Sequence, residues 1–254
     1  MTTQMHYAEF AHQVESWLVS AIRSCYPASW DEDQITSSIA AKFAASAGSV
    51  ALDGLDRPFK LVWDARTLGL PDPLALGDIA VLVHLTTWAG ETLEGVGFLE
   101  AKRRDQSANT FSSAKTRQLK KIVRKAPSAR LLLYDYDNVS TCMDNWVAAT
   151  ADHSYRRGLA PPYTHCVSLP ATTAFNQRRY TTELHKFGVP LSFQLVARYL
   201  RGFDLELDST IVEAAKGNNG TDGGARTLIL VGVSTGEADP KLPEVNGDRY
   251  ERPH

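Results

Sequence analysis

With 254 residues, 43% hydrophobic, 22% charged and a formal net charge of −2, the chain has the composition of a globular protein with room for one sizeable core. That balance argues against a globally basic nucleic-acid binder, and three cysteines (Cys25, Cys142, Cys166) without C-x-x-C spacing argue against a disulfide framework or a zinc knuckle. No apolar run approaches the roughly 18 residues of a membrane span, and Met1-Thr2-Thr3-Gln4 has no signal-peptide character, so a soluble protein of the reducing cytoplasm is expected.

Phe10, Val14, Trp17, Leu18, Ala21 and Ile22 recur at helical spacing and predict an amphipathic helix over about residues 5–26, followed by a second over about 32–46. Glu15 stands at the edge of that stripe beside Ala11 and Leu18, which makes it a candidate acidic ligand. Glu32 is the alternative, with the plainer role of a favourable charge at a helix N-terminus. Strands are expected near 58–63, 77–85 and 95–103. Asp72, between Pro71 and Pro73, reads as part of a loop ahead of the second of these.

Asp78 follows Gly77 and opens the strand Ile79–Leu85, and the Gly- and Thr-rich stretch 86–97 turns the chain back beside it. On the returning strand Glu100 and Lys102 share one face, because side chains alternate with period two, while Ala101 points to the other. Taken singly these residues are ordinary. Asp after Gly is a common turn residue, and Glu-x-Lys is often a solvated pair. Their flanks, however, read as buried central strands, where an unpaired charge costs several kcal/mol or forces a pKa shift.

Phe111, Ala114, Gln118 and Ile122 predict a helix from about Thr110 to Lys125 with Gln118 on its apolar stripe, where a buried amide needs partners. A hydrogen bond to a loop carbonyl would satisfy it as well. The same helix and the strand end before it form the densest basic stretch of the chain. Arg103, Arg104, Lys115, Lys120, Lys121 and Arg124 are candidate phosphate contacts, weighed against a plain solvated face. A strand over 130–136 follows.

Farther on, the pattern predicts a strand Thr164–Leu169, helices near 190–201 and 209–216, a loop 218–224 and a strand Thr227–Val233. The Arg pairs 156–157 and 178–179 read first as surface charge, and the polar tail 234–254 is expected to be disordered. The histidines lack H-E-x-x-H spacing, and no G-x-S-x-G elbow, P-loop or dinucleotide fingerprint occurs.

An Asp at the start of one strand, Glu-x-Lys on the next, and a Gln on the following helix resemble the PD-(D/E)xK superfamily of restriction-endonuclease-like nucleases, over about residues 5–135. The resemblance implies an α/β fold with a central mixed sheet flanked by helices. It implies one nuclease-like domain over 1–233, with a core at about 5–136 and decoration over 137–233. Asp78, Glu100, Lys102 and Gln118 are then the catalytic set. Mg²⁺ (or Mn²⁺) would be held by Asp78, Glu100 and the Ala101 carbonyl, with Glu15 as a further ligand. Lys102 would orient water and offset transition-state charge, a role worth about 10² to 10³ in rate. The implied substrate is DNA, and the implied setting is a restriction or antiviral defence effector restrained by a regulatory partner protein or by homo-oligomer formation. A DNA repair or recombination nuclease, a catalytically silent nucleic-acid-binding scaffold of the same fold, and an unrelated α/β protein with a surface Glu–Lys pair are the alternatives.

Overall fold

Ile79–Leu85 and Thr227–Val233 are apolar at nearly every position, odd and even, the pattern of strands covered on both faces. The computed structural model describes residues 3–53, 59–68, 76–112, 116–142, 163–177, 179–218 and 224–253, without the side chains of residues 113–117. In chain order these form β1 (Thr3–His6), α1 (Tyr7–Cys25), α2 (Glu32–Ala45), β2 (Gly48–Asp53), β3 (Phe59–Leu68), β4 (Ile79–Thr86), β5 (Thr92–Arg103), α3 (Thr116–Lys125) and β6 (Arg130–Val139). There follow β7 (Thr164–Pro170), α4 (Ala171–Phe175), β8 (Val189–Pro190), α5 (Leu191–Phe193), α6 (Ser209–Ala215), β9 (Thr227–Ser234) and β10 (Tyr250–Glu251). The path of α5 continues through a π-turn, Gln194–Arg198, and a 3₁₀ turn, Tyr199–Arg201.

The strands form one mixed sheet in the order β1-β2-β3-β9-β4-β5-β6-β7-β8, with β10 added beside β3. β4 and β5 are the expected antiparallel hairpin, and β6 returns parallel to β5 after α3. Helices cover both faces. Ile79, Val81, Val83, Leu99 and Ala101 pack in one core with α1, α2 and the run 191–201, while Ala80, Leu82, Phe98, Leu131 and Leu133 pack in the other with α3 and α6. The chain is therefore an α/β protein with a mixed sheet between helical layers.

Four expectations change. The segment 137–233, expected as decoration, supplies β9, which lies antiparallel to β3 and parallel to β4 at the centre of the sheet. β3 and β4 are consequently not neighbours, and the expected strand meander is opened by one inserted strand. Helix α3 begins at Thr116 rather than Thr110, because Thr110 and Phe111 pair with Thr181 and Arg104 in isolated bridges. The tail is not disordered. Tyr250 is buried, β10 pairs with β3, and the Lys241 carbonyl lies so close over Gly232 that a Cβ there would stand 2.2 Å from it. The polar composition of the tail hides Leu242, Val245 and Tyr250, which dock on the sheet. No helix among the described residues is long and apolar enough to cross a membrane.

Candidate active site

The hairpin brings Asp78 against β5 through a close backbone approach. A Cβ at Gly77 would lie 2.8 Å from the Leu99 carbonyl oxygen, so only glycine lets the chain enter β4 this close. The Asp78 amide donates to Leu99 O at 2.9 Å, and Asp78 Oδ2 accepts from the Ala101 amide at 2.7 Å. The carboxylate is thus pinned to the backbone between Glu100 and Lys102.

Glu100 and Lys102 lie on the same face of β5 as Phe98, toward the layer that holds α3. They are 2% and 6% exposed, so neither charge is solvated and each must find partners in the protein. Lys102 Nζ donates to Glu100 Oε1 at 2.8 Å, to Glu32 Oε2 at 3.2 Å and to the Ala101 carbonyl oxygen. Gln118 Nε2 donates to Glu100 Oε2 at 3.1 Å, so both oxygens of that carboxylate are engaged. Glu32 Oε1 accepts from Ser112 Oγ and, at 3.3 Å, from the Arg103 amide.

Two carboxylates, Glu100 and Glu32, therefore pair with one ammonium, and the Asp78 carboxylate nearby feels its charge. Burial pushes the Glu100 carboxyl up to about 7; the Asp78 charge acts in the same direction and Lys102 opposes it. Burial also raises Asp78, against the pull of Lys102 and of the Ala101 amide. For Lys102 burial favours the neutral amine, but Glu100, Glu32 and Asp78 outweigh it and hold the ammonium above its ordinary value. The excess of negative charge makes the site attractive to a cation.

Oxygen donors of this kind suit a hard divalent ion. The Lys102 ammonium already draws Glu100, Glu32 and the Ala101 carbonyl toward one positive charge, so the donor set fits such an ion. Among the described residues no three His, Cys, Asp or Glu side chains form a ready-made metal cage.

No family model, curated protein or solved structure matches the chain.

Several sequence expectations shift in place. Glu15 is not in the cluster: its Oε2 accepts from Ser192 Oγ at 2.6 Å, and burial pushes its carboxyl up to about 7. It faces β7 and α5 because α1 turns that edge of its stripe toward Thr164 and Ser192. Glu32 stands at the Lys102 site instead. Gln118 donates to Glu100, but it is exposed rather than buried and flanks the apolar stripe of α3, which consists of Leu119 and Ile122 and continues to Ala126. Of the basic candidates, Lys120 and Arg124 are exposed, and Arg103 and Lys121 are half-buried. Arg104 is not available as a phosphate contact, since it donates to Asp135 Oδ1 at 3.0 Å, Asp137 Oδ2 at 2.8 Å and Asn109 Oδ1 at 2.7 Å. The side chain of Lys115, like Asp72, Arg156, Arg157 and Arg178, lies outside the described residues. Ser112 joins the site from a loop that carries no recognisable sequence signal.

Proposed function

We propose that the chain is a metal-dependent nuclease that hydrolyses DNA phosphodiester bonds, and that β4, β5, α3 and β6 with the N-terminal helices form a restriction-endonuclease-like core. The observation that carries this reading is the cluster of Asp78, Glu100, Glu32 and Lys102, the middle of it buried and braced by Gln118. Burying Glu100 and Lys102 with two further, half-buried carboxylates against them works against stability, and a silent scaffold would have no use for it.

Asp78, Glu100 and the Ala101 carbonyl would hold the ion, with Glu32 rather than Glu15 beside them. Mg²⁺ or Mn²⁺ would supply positive charge against phosphate oxygens and make water at the site more acidic. Lys102 orients the attacking water and offsets the negative charge that grows on the phosphate. Gln118 fixes the direction of the Glu100 carboxylate by holding its second oxygen. Arg103, Lys120 and Arg124 place positive charge along α3 and the end of β5, where a phosphate backbone would be held without reading its sequence.

Cleavage of plasmid and linear DNA with Mg²⁺ or Mn²⁺ tests the reading, comparing wild type with Glu100→Ala and Lys102→Ala at equal folded concentration. The expected result is metal-dependent cutting that falls by about 10² or more in each variant. Cutting that survives both substitutions, or a folded wild type that cuts under no metal condition, refutes it.

A further inference from the structure

At the same end of β5 as the carboxylate cluster, but against the core of the other sheet face, stands a stack of aromatic rings. Tyr26 and Tyr136 lie face to face, with ring centroids 4.8 Å apart and planes 21° from parallel. Trp30 packs edge-on against both, at 5.6 and 5.7 Å. The Arg104 guanidinium sits over the Tyr136 ring at 4.6 Å. Trp30 is buried and Tyr136 half-buried, whereas Tyr26, the outer ring, is 43% exposed.

The stack and the candidate active site are carried by the same two pieces of chain. Trp30 precedes Glu32 by two residues and Arg104 follows Lys102 by two. Trp30 Nε1 donates to the Arg104 carbonyl at 2.7 Å and ties the two pieces together. Two residues of extended chain span about 7 Å, which is the backbone spacing of Trp30 from Glu32 and of Arg104 from Lys102.

We propose that Tyr26, backed by Tyr136, Trp30 and Arg104, is a stacking platform for an unpaired base, so that the nuclease takes single-stranded DNA in preference to intact duplex. This rests on the nuclease reading for the position of the strand. Arg104 has its charge met by Asp135 and Asp137, so it stiffens the rings rather than gripping phosphate. The exposed ring of the platform is Tyr26. In a duplex the faces of each base are covered by its neighbours, and only an unstacked base can use such a surface; the same chemistry lets single-strand binders accept any base.

The test measures binding apart from cleavage. A fluorescent oligo(dT) strand and a duplex of equal length are titrated with the protein in EDTA, with fluorescence anisotropy as the readout, for wild type, Tyr26→Ala and Tyr26→Trp. The single strand binds at least about tenfold more tightly than the duplex, Tyr26→Ala loses about tenfold on the single strand alone, and Tyr26→Trp keeps wild-type affinity. Equal affinity for the two DNAs, no detectable single-strand binding, or a Tyr26→Ala variant that binds like wild type overturns the platform. Plasmid cutting that depends on Glu100 would then leave the nuclease reading standing. Single-strand binding that depends on Tyr26, in a protein that cuts nothing, would leave the platform standing and remove the nuclease.

Discussion

Gln118 and Glu100 are joined by a 3.1 Å hydrogen bond between α3 and β5, and the other oxygen of the same carboxylate lies 2.8 Å from the Lys102 ammonium. The helix thereby sets the orientation of the carboxylate on the strand. Replacing Gln118 by Ala leaves α3 packed through Leu119 and Ile122, both fully buried, but frees Glu100 Oε2. Activity or metal affinity is expected to fall about 10- to 100-fold with little change in melting temperature. Steady-state cleavage and a thermal melt, run on the same preparation, check both halves.

Glu32 and Glu15 occupy different parts of the structure. Glu32 touches Lys102, whereas Glu15 is held by Ser192 in another part of the core. Glu32→Ala is expected to weaken Mn²⁺ binding by about 10-fold or more in calorimetry, and Glu15→Gln to leave that affinity unchanged.

Much of this site is local and therefore legible in sequence. Asp78, Glu100 and Lys102 are set by strand alternation and a turn, so period and turn chemistry suffice to place them together. Glu32 depends on where the N-terminus of α2 docks relative to β5, 70 positions along the chain, and no short-range pattern reports that. β9 is recognisable as a buried strand, but its place between β3 and β4 is a long-range pairing that apolar periodicity does not specify. The tail misleads for a related reason. Its composition is polar, while three of its apolar residues, Leu242, Val245 and Tyr250, dock on a surface built much earlier in the chain.

Glu15 also gives the protein a pH signature. Its carboxyl is raised from the ordinary glutamate value to about 7 by burial, so folding favours the protonated form. That contribution is complete below about 4.5 and is lost as pH rises through about 7. His185, pulled down to about 4 by burial, acts in the opposite sense as pH falls below about 6.5, so wild type and variant must be compared at each pH. Glu15→Gln keeps an acceptor for Ser192 and removes the charge. It is expected to raise the unfolding free energy at pH 8 by on the order of 2 kcal/mol and to have little effect at pH 5. Urea unfolding at the two pH values decides, and an equal change at both would assign the effect to packing instead.

Gly77 tests the close approach that carries Asp78. A methyl group there meets the Leu99 carbonyl oxygen at 2.8 Å, and Leu99 is fully buried in a central strand that cannot move aside freely. Gly77→Ala is expected to destabilise the fold by about 1 to 3 kcal/mol and to lower the cleavage rate of the remaining folded protein, because Asp78 shifts relative to Ala101. A variant with wild-type stability and rate would show that the hairpin entry is not held by this contact.

The basic residues divide by what already neutralises them. Lys120 and Arg124 are exposed on α3, so replacing both by Ala is expected to reduce the dependence of log DNA affinity on log salt by about 1 to 2 while stability stays within about 0.5 kcal/mol of wild type. Arg104 should behave in the reverse way. Its partner Asp135 is 1% exposed, and removing the guanidinium leaves that carboxylate buried with one cationic partner fewer. Arg104→Ala is therefore expected to cost roughly 3 kcal/mol of stability with little change in the salt slope of duplex binding. Anisotropy titrations at several salt concentrations, together with urea melts of both variants, separate phosphate contact from structural pairing. A salt slope that falls as much for Arg104→Ala as for the α3 double variant would return Arg104 to the DNA-binding surface.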